Sequence, residues 1–585
     1  MVGRRLYAFL VPRADAHQGE TVAACDERLS WLTGFTGSAG MAAATRDLAA
    51  ILVDGRYGLQ VRAETDPAVF AYLTHPEESI GAWLAKSLGD GSRVGYDPWL
   101  HTDEDLTRLR ERLSDCGAIL VPVENLIDEI WHDRPPAPAE AIRPHPVLLA
   151  GRSSAEKRSE AAKRLTEEKL DATVLSQPDS IAWLLNVRGA DTPRTPVSRS
   201  FALLHGDGRV DVFVEPGQAT SELAAHVGNE VTLRPKTDLE AALDGLAGRV
   251  GVDRSRSPAW VADHLASNAS VETVWSGDPC ALPRACKTEA EIAGARAAHL
   301  RDGAAVTRFL HWLSNAGPSG ELTEIDAVRR LEAFRQDTGL LRDISFETIC
   351  GSGPNGAIVH YRVSEATNRR IAPGELLLID SGGQYEDGTT DVTRTVAIGT
   401  APRDAIHRFT LVLRGLAEMS RLNWPEGLEG RHIDAVARMA LWRAGLDYDH
   451  GTGHGVGAYL SVHEGPQSLS RRSAQPLKPG MILSIEPGYY LEGSYGIRIE
   501  NLAVVTPVPA EAGAGRERPM LGFETLTLAP IDRNLVDRDV LGADGVEWLD
   551  AYHARVFAEL APALEAPTRA WLEAACAPLA RASHG

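Results

Sequence analysis

No stretch of this 585-residue chain approaches the roughly 18 consecutive apolar residues that a membrane-spanning helix needs. Positive charge is also in deficit. Against 80 Asp and Glu there are 60 Lys and Arg, and the net charge of −20 argues against nucleic acid or an anionic membrane as partner. Cysteine is sparse: Cys25, Cys116, Cys280, Cys286, Cys350 and Cys576 are scattered, with no CxxC pair. In so long a chain that pattern points to a reducing compartment and not to a disulfide framework. A cleavable leader is not apparent either. In MVGRRLYAFLVPR the apolar run is short, Pro12 and Arg13 end it, and no small-residue cleavage site follows, so a first β-strand is expected. Cytoplasmic location is the resulting expectation.

The length is too great for one core, so two to four domains are expected; composition is that of an ordinary globular protein, while the strand and helix signals along the chain read as α/β (α+β). The first part, 1–145, alternates strand and helix signals. AAILVDG (49–55) reads as a buried strand, 76–88 as a helix opening on proline, 102–115 as a helix capped by Thr102, and AILVPV (118–123) as a strand. The segment 132–147 holds five prolines and is read as a linker without regular structure. A second α/β part, 146–284, has a charged helix at 154–169, the strand ATVL (172–175), and a hairpin over 201–214 turned at Gly206-Asp207-Gly208. Its strand-and-helix rhythm matches the first part without evident sequence identity. From Lys287 a long helix begins on a Thr288/Glu291 capping box, opening a third part, 285–585. Further helices are expected near 403–421 and 430–445, a polar Gly/Pro-rich loop at 506–519, and an amphipathic helical tail from 537.

The third part also carries the chemistry. Asp380 ends the apolar run ELLLID, and Asp391, eleven residues on, opens DVTRTVAIG after a turn-rich hairpin. Taken alone, Asp380 reads equally as a turn cap and Asp391 as a surface residue. His454 lies in HGTGHGVGAYLSVHEGP, where three histidines stand among glycines that imply close backbone approach. Glu486 follows the strand MILSI and precedes Pro487. In GIRIEN, alternation puts Arg498 and Glu500 on one face and Ile497 and Ile499 on the other, although a surface Arg498–Glu500 pair fits the same spacing. Four carboxylates and one imidazole are costly to gather without cations. A donor set dominated by oxygen suits two bridged divalent ions better than one thiolate-bound zinc. Such ions activate water and clamp a carbonyl, so a dinuclear metallohydrolase is expected.

The segments LLLIDSGGQYEDGTTDVTRT, HGTGHGVG…VHEGP, SIEPGYY and GIRIEN resemble the pita-bread metallopeptidases, specifically the aminopeptidase P family. The likeness extends to AFLVPRADAHQGE, WLTGFTGSAG (31–40), DGRY (54–57), WLLNVRGAD (183–191) and FETLTLAPID…WLDAYH (523–553), as in its large three-domain type. The resemblance implies two creatinase-like α/β domains (1–145 and 146–284) before a pita-bread catalytic domain (285–585) with a C-terminal extension from about 523. It implies metal ligation by Asp380, Asp391, His454, Glu486 and Glu500, to two ions expected to be manganese, with zinc or cobalt as alternatives. It also implies accessory roles for His360, His450, His463 and Arg498, and a homodimer.

The expected substrate is a peptide with proline second, cut after its first residue by a metal-bridging hydroxide. Glu486 would relay the water proton, His463 would stabilise the oxyanion, and His360 would help protonate the departing proline nitrogen. His450 and Arg498 would shape the proline pocket or orient ligands, and Arg188 and Asp191 would either reach the site or pair within their own loop. The rival activity is prolidase, which takes dipeptides only. A rival of another class is a non-catalytic pita-bread module, in which ligands would be missing.

Overall fold

A computed structural model describes residues 1–509 and 518–579; most of the polar loop expected at 506–519, namely 510–517, lies outside the described residues. The chain divides into two compact units, Met1–Arg284 and Ala285–Gly585.

The first unit holds two six-stranded sheets. In the first, Ala8–Pro12 (β1), Met41–Thr45 (β2), Ala49–Asp54 (β3), Phe70–His75 (β4), Arg93–Tyr96 (β5) and Ile119–Pro122 (β6) lie in the order β4-β3-β2-β1-β5-β6. In the second, Ala172–Leu175 (β7), Phe201–His205 (β8), Val210–Val214 (β9), Val231–Pro235 (β10), Gly248–Val252 (β11) and Val271–Trp275 (β12) lie in the order β10-β9-β8-β7-β11-β12. Strand order and every strand sense are the same in both. Two antiparallel pairings lead into a parallel edge on one side, and two parallel pairings follow on the other. The shared rhythm of the sequence is therefore a repeated topology. Two expectations need correction. The helix near 76–88 begins only at Ile80, because the Ser79 hydroxyl accepts the Ala82 N–H and caps it there. The proline-rich linker is not wholly irregular: Arg143–Pro144 pairs antiparallel with Val187–Arg188, at an edge where a proline is tolerated. In that neighbourhood Asp191 accepts from the Glu140 and Arg199 amides and the Gln218 side chain, and the Arg188 guanidinium donates to the Val187 carbonyl.

The second unit opens with helix α1, Glu289–Ala316, whose start is fixed by the reciprocal Thr288/Glu291 bonds. Its face of Val306, Phe309, Leu310 and Leu313 packs against Leu377 and Ile379 of the strand Leu376–Ser381. That strand (β14) lies between Ile349–Ser352 (β13) and Val392–Ala397 (β15), all antiparallel. A larger sheet runs in the order Trp424–Pro425, Met520–Thr525 (β22), Asn501–Pro507 (β21), Ile482–Ile485 (β18), Gly453–Gly455 (β16) and Glu464–Leu469 (β17). A separate hairpin joins Gly488–Leu491 (β19) to Tyr495–Arg498 (β20). Helices cover Arg403–Ser420 (α2), Gly430–Arg443 (α3) and Arg538–Leu560 (α4), where the sequence places them.

Candidate active site

Alternation along β14 decides where Asp380 points. Leu377 and Ile379 face α1, so Leu378 and Asp380 face the other way, toward the cluster of Tyr361 and Tyr490. Asp380 pairs with Thr393 and Leu378 with Thr395 across the sheet, which puts both threonines on the same face. Asp391, two residues before Thr393, shares it. The strand is buried on both sides, and Asp380 at 7% exposure and Asp391 at 3% are neither a turn cap nor a surface residue.

Arg498, at the end of β20, reaches the same face. Its Nη2 donates to Asp380 Oδ2 at 2.6 Å, its Nε to Thr393 Oγ1 at 3.2 Å and its Nη1 to the Tyr490 hydroxyl at 2.7 Å. The partner of Arg498 is thus Asp380, and the reading of a surface pair with Glu500 fails. Glu500 takes its hydrogen bond from Thr393, whose hydroxyl donates to Oε2 at 2.8 Å. The Glu500 carbonyl is held at 2.6 Å by the buried Arg394, which also donates to Ala529, Pro530 and Tyr552. Residues of the tail thereby fix the backbone of a site carboxylate.

His454 comes from β16, in the opposite part of the sequence pattern. Gly453 and Gly455 flank it because nothing larger fits: a Cβ on Gly453 would lie 1.9 Å from the Ser484 carbonyl oxygen, and one on Gly455 2.3 Å from Gln467. The ring Nδ1 of His454 donates to the Gly455 carbonyl at 2.9 Å, which turns Nε2 toward the acids. Nε2 is 3.4 Å from Asp391 Oδ2 and 3.6 Å from Glu486 Oε1. Ser484 links the two elements: its hydroxyl accepts the His454 N–H at 2.9 Å and donates to Glu486 Oε1 at 3.1 Å.

One donor atom from each of Asp391, His454 and Glu500 lies within 4.8 Å of the other two, a grouping that could hold a metal ion. The protonation energetics are those of a crowded acid cluster. Burial pushes Asp380 up to about 6, with Arg498 pulling it down and Asp391 pushing it up. Burial, then the charges of Asp391, Glu486 and Asp380, drive Glu500 well above the carboxylate range. Glu486 is raised by burial against the pull of His454 and Arg498. Burial lowers His454, but the bond to Asp391 and the charges of Glu486 and Asp391 outweigh it and push the ring to about 9. Three carboxylate oxygens, Asp380 Oδ1, Asp391 Oδ1 and Glu500 Oε1, are buried with no hydrogen-bond partner. A hydrogen-bonded oxygen beside a bare one on Asp380 and Glu500 is what a cation-binding carboxylate set requires, so these residues fit divalent metal.

The accessory candidates sit in three places. His463 is exposed, with its ring edge-on to His454 at 4.2 Å between centroids. His450 lies on the far side of Arg498: its Nδ1 donates to Gly451 O, so its Nε2 accepts from the Tyr490 hydroxyl, at 2.9 Å. His360 is half-buried and follows Val359, whose carbonyl accepts from Arg498 at 3.3 Å. Sequence reasoning missed Thr393, Ser484 and Tyr490. Thr393 was findable from its two-residue spacing after Asp391, and Ser484 from the same spacing before Glu486; Tyr490 has no such signal short of the fold.

The chain matches the model of metallopeptidase family M24 over residues 293–507 and that of the C-terminal region of peptidase M24 over 519–579. Two creatinase/prolidase N-terminal domain models match 1–130 and 133–291. It is 39% identical to a probable Xaa-Pro aminopeptidase P of Aspergillus niger, covering 99% of this chain and 97% of that protein. A counterpart in Coccidioides posadasii is 39% identical over 95% of this chain and 94% of its own length. Among solved structures, an X-prolyl aminopeptidase of Caenorhabditis elegans, described as a cytosolic enzyme with a di-nuclear active site, superposes with a TM-score of 0.93 at 33% identity, over 98% and 95% of the two chains. A Xaa-Pro dipeptidase of Bacillus anthracis shares only the fold, at a TM-score of 0.54 and 23% identity over 65% of this chain and 99% of its own. With full-length likeness to these relatives, two creatinase-type N-terminal domain matches and a pita-bread metallopeptidase region that gathers its acids around one histidine, the chain belongs to metallopeptidase family M24, in its aminopeptidase P branch.

Proposed function

We propose that this protein is an Xaa-Pro aminopeptidase, releasing the first residue of peptides whose second residue is proline. The carrying observation is the buried acid cluster with bare carboxylate oxygens, in a chain resembling Xaa-Pro aminopeptidase P relatives from end to end. Asp380, Asp391, His454, Glu486 and Glu500 would hold two divalent cations; the oxygen-rich donor set favours manganese over zinc or cobalt. Such cations, when bound, supply Lewis acidity and lower the pKa of water.

The chain's own groups do the rest. The bond to a proline nitrogen has no N–H, so the enzyme must recognise the tertiary amide without that donor. Glu486, held by the Ser484 hydroxyl, accepts the proton of the attacking water. His463, exposed beside His454, donates to the developing oxyanion, and His360 delivers a proton to the leaving nitrogen. The Arg498–Tyr490–His450 chain holds Asp380 in place and lines the proline side of the site. A free substrate amine would meet Asp380 or a cation, which restricts cleavage to chain ends.

A cytoplasmic homodimer acting on peptides, with neither nucleic acid nor membrane as partner, completes the reading. No helix among the described residues is long and apolar enough to cross a membrane, and none of the six cysteines forms a disulfide. The deciding assay compares Arg-Pro-Pro with Gly-Pro, before and after chelation and Mn²⁺ add-back. Cleavage of the tripeptide that is lost on chelation and restored by metal is expected; turnover of the dipeptide alone would make the enzyme a prolidase.

A further inference from the structure

The reaction as derived uses neither Lys287 nor Glu464, yet Lys287 Nζ and Glu464 Oε2 form an ion pair whose side chains are each only 1% exposed. Burying such a pair rarely adds stability, because desolvating both groups offsets their attraction. Its location gives another reason for it. Lys287 is fixed at its backbone, where its N–H donates to Gly480 O at 3.0 Å, and the next residue caps α1. Glu464 opens β17 directly opposite Gly455, at the bulge that follows His454. Gln467 Nε2 donates to the same Glu464 oxygen at 3.2 Å, and Gln467 and the Glu464 carbonyl fill the space a Gly455 Cβ would need. His463 is therefore an exposed residue between two buried ones, Val462 and Glu464, with its ring against His454.

We propose that Lys287 and Glu464 form a positioning pair for His463: the buried ammonium anchors the first residue of β17 to the start of α1 and so fixes where the neighbouring imidazole stands. The inference rests on the aminopeptidase reading and deepens it. Lys287 touches no reacting atom; it acts through Glu464 and the backbone of residue 463.

The test is a cycle on the full-length, metal-loaded protein with an Xaa-Pro tripeptide. The double variant Lys287→Met/Glu464→Met removes both charges together and leaves neither stranded. It is expected to keep its bound metal and its melting temperature, to hold KM within about threefold, and to lose about 10- to 100-fold in kcat through misplacement of His463. In a His463→Ala background the same double replacement should cost less than about twofold, because the route through that ring is already gone. If the double variant does not fold, Glu464→Gln, which keeps a hydrogen-bonding partner for Lys287 and Gln467, goes through the same cycle with a smaller expected kcat loss. Wild-type kcat in the variant that folds, or an equal further loss with and without His463, would overturn the pair's role. An inactive wild-type protein would overturn the aminopeptidase reading and this inference with it.

Discussion

Thr393 shows how much a single hydroxyl decides in this site. It accepts from Arg498, which holds Asp380, and donates to Glu500, so one oxygen orients two carboxylates. Thr393→Val keeps the shape and removes the bond; metal affinity should fall about 10- to 100-fold while Thr393→Ser restores it, read by calorimetric titration of the stripped protein. Asp391→Ala should abolish metal uptake and turnover together, and metal analysis of the purified variant checks it. His463→Ala should retain metal yet lose most of kcat, since its ring stands outside the buried cluster. Unchanged kinetics would refute the oxyanion role.

Among elements, the strand pair β16–β18 tolerates little change. A Cβ at Gly453 would collide with the Ser484 backbone, 1.9 Å away, and Ser484 ties His454 to Glu486. Gly453→Ala must therefore part the two strands. A loss of about 3 kcal/mol or more in unfolding free energy and weakened metal binding are expected, measured by denaturant titration and metal analysis. Legibility in the sequence also varies by element. The Thr288/Glu291 box, the strand ATVL and the hairpin at 201–214 are all visible, because caps, turns and alternating patterns are local. The pairing of Arg143–Pro144 was hidden, since it depends on which partner a strand edge finds in space, whereas the helix start at Ile80 follows from a local Ser79 cap that competes with the proline signal at 76.

For the whole molecule, acid should be destabilising through histidines held neutral. Burial lowers His101 to about 4, His553 to about 3 and His145 to about 2, the last with help from Arg188 and Lys157. These folded values lie below the unfolded value of about 6.5, so the unfolded chain binds more protons. Their contribution is complete above that pH and is lost as pH falls toward the folded values. Metal-loaded protein should melt at a lower temperature at pH 5.5 than at pH 7.5. His553→Gln should flatten that dependence, since a Gln side chain preserves an acceptor for the Ile531 N–H without titrating.

The sequence by itself determined which acids and histidines stand in the strand-end and glycine-rich motifs, and in what order along the chain. Residue type fixes donor hardness, and alternation fixes the face a side chain takes, so both are read without coordinates. Only the tertiary structure decided which oxygen of each acid is engaged and which is left bare. For Asp380 and Glu500 that choice is made by Arg498 and Thr393, supplied from strands that meet only once the sheets have formed. The strand order within the two six-stranded sheets of the first unit belongs to the same class, because pairing across space leaves no mark on local sequence, although the shared strand-and-helix rhythm announces their likeness.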